Sequence, residues 1–60
     1  MPNYDDVLIA RDDLTFTIDN LLYQLDHETD PALRDALVEE IDNNIDACAE
    51  LESWLVRQGN

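Results

Sequence analysis

Lysine is absent from this chain, and its whole positive complement is Arg11, Arg34 and Arg57. Contact with nucleic acid or an anionic membrane surface needs cations that neutralise phosphate, so three arginines against fifteen carboxylates disfavour both partners. One cysteine, Cys48, excludes an internal disulfide, and one histidine, His27, excludes a histidine-based metal cluster. A single glycine, Gly59, leaves no material for a glycine-rich phosphate loop. No apolar run approaches the ~20 residues of a membrane span. The stretch Val7-Leu8-Ile9-Ala10 is far shorter than a signal-peptide core and has no basic residue before it. A free cysteine is ordinary inside cells, so the cytoplasm is the expected location.

What is present is negative charge. The formal net charge is −12 over 60 residues, which creates a self-repulsion opposing compaction and favours basic partners. Simple disorder pairs such charge with low hydrophobicity, whereas here 45% of residues are hydrophobic. The length allows one domain, residues 1–60, with a core rarely worth more than ~3–5 kcal/mol. Helix packing and self-association are the available remedies.

Punctuation divides the chain once. Asp30 is a good N-cap and Pro31 suits the first helical position, where its missing N–H is not needed. Asn3 can cap an earlier helix, with Asp5 and Asp6 in its favourable first turn. Gly59 suits a C-terminal cap, with Arg57 complementing the dipole in the last turn. These signals predict helices over about 3–27 and 31–58, joined by a turn at about 28–30. So short a turn makes them antiparallel neighbours. The expected fold is therefore all-α, a two-helix antiparallel hairpin that dimerises into a four-helix bundle.

The first helix carries a heptad repeat whose seam is Tyr4, Val7, Arg11, Leu14, Ile18, Leu21 and Leu25. The second has a broader apolar face of Leu33, Leu37, Ile41, Ile45, Cys48, Leu51 and Leu55, with Asn44 among them. Folding the seams together sets Arg11 near the level of Asp46. Polar seam residues such as Arg11 and Asn44 fix register at some cost in stability. Cys48 reads as a buried small hydrophobe rather than a nucleophile.

Two features exceed what a hairpin requires. Ile9, Phe16 and Tyr23 recur every seven residues opposite the first seam, forming an apolar row suited to a dimer interface or to docking a foreign protein. Trp54, off the centre of the second helix's core face, can belong to either surface. Carboxylates form rows as well. Asp5, Asp12, Asp19 and Asp26 repeat about 10 Å apart along the axis, with Asp6 and Asp13 beside them. The second helix adds Asp35, Glu39, Asp42, Asp46 and Glu50. Ten of the fifteen acids are aspartate, although glutamate is the better helix former. The shorter side chain holds its charge closer to the backbone, so a rod of such charges can imitate a phosphate strand. The ordinary alternatives are a solvated face and adaptation to high salt.

No catalytic, metal or cofactor site is found. Asp26-His27-Glu28-Thr29-Asp30 alternates oxygen ligands like the start of a calcium loop, but Pro31 stands where glycine is needed and Leu37 where the bidentate glutamate belongs. Exposed carboxylate pairs lack the desolvation that separates an acid from a base. An enzyme is not expected.

Size, absence of lysine and spaced aspartates together give a chain that resembles small acidic phage-encoded anti-defence inhibitors, the anti-CRISPR proteins of the DNA-mimic kind. The resemblance covers charge character rather than a motif. It implies binding to the basic DNA-recognition surface of a target complex, blocking DNA engagement. The expected function is thus an acidic inhibitor whose partner surface comprises Asp5, Asp12, Asp13, Asp19, Asp26, Asp35, Glu39, Asp42 and Asp46 with Ile9, Phe16 and Tyr23. The alternative is a dimeric adaptor or antitoxin-like module that recognises its partner through the apolar row. A third reading is a halophile's structural protein, acidic for solubility.

Overall fold

A computed structural model describes residues 3–59; Met1, Pro2 and Asn60, part of the single domain expected over 1–60, lie outside the described residues. Two helices, α1 (Tyr4–His27) and α2 (Pro31–Gly59), pack against each other as an antiparallel hairpin, with no strand among the described residues. The backbone spans 44 × 17 × 14 Å with a radius of gyration of 13.9 Å. A compact chain of this length would have a radius near ~10 Å, so the molecule is a short rod.

Both N-termini are built as their sequences require. Asn3 adopts an extended backbone, and its side-chain oxygen accepts the Asp5 N–H at 2.9 Å. Asp30 does the same for the Ala32 N–H at 2.9 Å, while its carbonyl receives the Arg34 N–H. Each cap satisfies donors that have no partner inside the helix. The C-terminal expectation for α2 is corrected: the helix continues through Gly59, which does not take the left-handed conformation of a glycine cap.

The connection is tied at several points. Leu25's carbonyl accepts the Glu28 N–H, and Glu28's carboxylate accepts the N–H groups of Thr29 and Asp30 at 3.1 and 3.0 Å. That carboxylate is the second acid of the stretch that resembled the start of a calcium loop. It is bonded to backbone instead.

Burial is thin. Val7 and Leu21 of α1 meet Ile41 and Leu55 of α2 in the core, each keeping 6–8% exposure. Arg11, Leu14, Ile18 and Leu25 fill out the α1 seam half-buried, and Leu37, Asn44, Cys48 and Leu51 do so on α2. Several seam expectations are corrected here. Leu33 and Ile45 are exposed, at 52% and 47%, and Tyr4 at the open end is exposed too. Cys48 is half-buried, not buried, its thiol 4.0 Å from Glu52 Oε1. Asn44 bonds within its own helix, donating Nδ2–H to the Glu40 carbonyl at 2.8 Å. Arg11's guanidinium lies 3.5 Å from the adjacent Asp12.

Candidate partner-binding surface

A heptad repeat turns each seventh residue back by only about 20°, so rows on α1 run nearly parallel to the rod. Opposite the seam stand Ile9, Phe16 and Tyr23, at 59%, 69% and 68% exposure. No element of the hairpin covers them. Tyr23 is the best fixed of the three. Its ring lies 4.3 Å from that of His27, and the His27 Nδ1–H donates to the Tyr23 carbonyl at 2.9 Å.

Carboxylates flank this row on both sides. Asp5, Asp12, Asp19 and Asp26 follow one edge and Asp6 and Asp13 the other, all exposed. At 100° per residue the two edges sit within roughly 60° of the apolar row, so a partner touching Phe16 also meets the field of Asp12, Asp13 and Asp19. One arginine approaches this set, Arg11 at Asp12, and that carboxylate remains 72% exposed. A single exposed pair leaves the surrounding potential strongly negative.

On α2, Asp35, Glu39, Asp42, Asp46 and Glu50 are exposed as well, along the helix's outer side. The structure therefore keeps every residue of the expected partner surface accessible but divides the set between two helices. The α1 residues form one composite strip of apolar and acidic groups; the α2 residues form a purely acidic one.

Trp54 belongs to neither strip. It is half-buried beside Tyr4, ring centroids 6.4 Å apart, at the open end of the hairpin. Near it Val7, Leu51, Trp54 and Arg57 border an open depression of about 530 Å³.

Sequence reasoning missed a second apolar surface. Leu22, Val38 and Ile45, at 47%, 43% and 47% exposure, are each the residue after a seam position. Their common offset is the signal that could have revealed it.

Among the described residues, no helix is long and apolar enough to cross a membrane. Comparison of the chain with known protein families, with curated proteins and with solved structures gave no match.

Proposed function

We propose that this chain is an acidic protein-binding inhibitor that occupies the basic nucleic-acid-binding surface of a target complex. A phage anti-CRISPR protein that blocks DNA recognition is the nearest functional type. The observation that carries the reading is the α1 strip: exposed Ile9, Phe16 and Tyr23 bracketed by exposed aspartates. Charge alone supplies fast encounter and poor selectivity, while an apolar anchor inside a charged rim supplies a slow off-rate. A groove that binds nucleic acid presents the complementary arrangement, lysine and arginine for the phosphates around the apolar and aromatic side chains on which bases stack.

The test is capture of a nucleic-acid-binding complex from nuclease-treated bacterial lysate, followed by elution with rising salt and with excess duplex DNA. Displacement by DNA, together with loss of binding in the Asp12→Lys/Asp19→Lys double variant, supports the inhibitor. Retained affinity after charge reversal overturns it. Loss of binding confined to Phe16→Ala and Tyr23→Ala, insensitive to salt and DNA, assigns the strip to an adaptor instead.

A further inference from the structure

The hairpin has a second unpartnered face, and it differs from the α1 strip in charge. The residues following every second seam position are Leu8, Thr15 and Leu22 on α1 and Val38, Ile45 and Glu52 on α2; those following the seam positions between them include Asp12, Asp19 and Asp42, which border the face. Antiparallel helices of the same hand place these two rows on one side of the pair. Together they form a surface built from both helices, about a quarter turn from the Phe16 row. From Leu8 through Ile45 its rows contain no carboxylate; Glu52 enters only at the open end. Its one hydroxyl is already bonded, Thr15 donating to the Arg11 carbonyl at 2.9 Å.

We propose that this face binds a second copy of the chain, closing a four-helix bundle. Three observations select that occupant. The first is charge. A chain of net charge −12 repels its own copy least where carboxylates are kept to the edge of the contact, and within these two rows the one carboxylate is Glu52. The Phe16 row is one side chain wide between two aspartate edges and suits a cationic partner, whereas the two-helix face keeps Asp12, Asp19 and Asp42 at its outer rim. The second is the core. Four side chains at 6–8% exposure are few for a domain of this length, and a two-layer arrangement would bury Leu22, Val38 and Ile45 beside them. The third is area. One side of the rod, with backbone extents of 44 × 17 Å, has room for an interface approaching the ~800 Å² per partner of standard size.

The rim of this interface carries Asp12, Asp19 and Asp42 from each copy, so like charges confront one another across it. Salt therefore tightens the self-association, opposite in sign to its effect on a basic partner. A twofold arrangement leaves both Phe16 rows on the outside, and the dimer presents two acidic strips.

Sedimentation velocity on the purified chain, in low and in molar salt, tests the proposal independently of any target. Expected are a dimer whose dissociation constant falls as salt rises and a melting temperature that increases with protein concentration. Val38→Ala/Ile45→Ala, which raises helix propensity while removing the apolar contacts, should weaken the dimer at least about tenfold. Phe16→Ala/Tyr23→Ala should leave it unchanged. A monomer at every concentration and salt, or a dimer lost in the Phe16/Tyr23 variant and kept in the Val38/Ile45 one, overturns the assignment.

Discussion

Arg34, in the first turn of α2, reaches back across the connection and donates Nη1–H to the carbonyl of Leu25 at 2.7 Å, near the end of α1. The same nitrogen bonds the Glu28 carbonyl at 2.8 Å. One cation thereby closes the exposed carbonyl end of the first helix and clamps it to the second, at the point where the helix dipole is negative. Replacing it with methionine keeps the alkyl stem and removes the donors. Arg34→Met is expected to cost about 1 kcal/mol and to lower the melting temperature by roughly 4–8 °C, measured by circular dichroism. An unchanged melting temperature would show that the clamp contributes nothing to stability.

Asp30 offers a sharper distinction between geometry and charge. Its Oδ1 bonds the Ala32 N–H, a role asparagine can fill. Asp30→Ala should cost about 1 kcal/mol, whereas Asp30→Asn should cost a few tenths. Equal losses in thermal denaturation would assign the effect to the charge at the helix N-terminus rather than to the cap bond.

Which of these features can be read without the structure depends on how local they are. The helices and their caps follow from Asn3, Asp30 and Pro31, because capping acts over two or three residues. The exposure of Ile9, Phe16 and Tyr23 follows from the heptad of α1. Ile45 and Leu33 are different. Steps of four, as in Leu33, Leu37, Ile41 and Ile45, drift by about 40° each, so the stripe walks off the packed face. The pair instead follows alternating steps through Ile41, Asn44 and Cys48. An asparagine inside the seam and an isoleucine outside it reverse the apolar cue at that turn. The Arg34 clamp joins residues nine apart and has no periodicity to announce it. Arg11 meets its neighbour in sequence, Asp12, at 3.5 Å, a contact that the seam pattern does not announce. The role of the α1 strip remains a proposal, since exposure and charge describe a surface without naming its occupant.

Packing sets a third expectation. Ile41 is among the best-covered side chains, at 6% exposure, and truncation to alanine should cost ~2–5 kcal/mol. Against a core worth ~3–5 kcal/mol, Ile41→Ala should be largely unfolded by far-ultraviolet circular dichroism. Phe16→Ala, altering a residue 69% exposed, should shift stability by no more than about 0.5 kcal/mol. A large loss at Phe16 would mean that the row is covered in solution.

Charge sets a fourth. With net charge −12 and an exposed Arg11–Asp12 contact as the ion pair seen among the described residues, screening relieves repulsion and breaks little attraction. The urea midpoint should therefore rise steadily with sodium chloride. A chain folded at low ionic strength would count against a halophile's structural protein; one folded only in molar salt would favour it.

The hairpin has one connection, and its contacts are ordered by distance from it. Leu25 and Arg34 close the shortest loop, while Tyr4 and Trp54, 6.4 Å apart at the open end, close the longest. Closure entropy grows with loop length, so the expected order is zipping from the turn and fraying from the other end. Trp54 is the only tryptophan, and its emission therefore times the last step of assembly and the first step of opening.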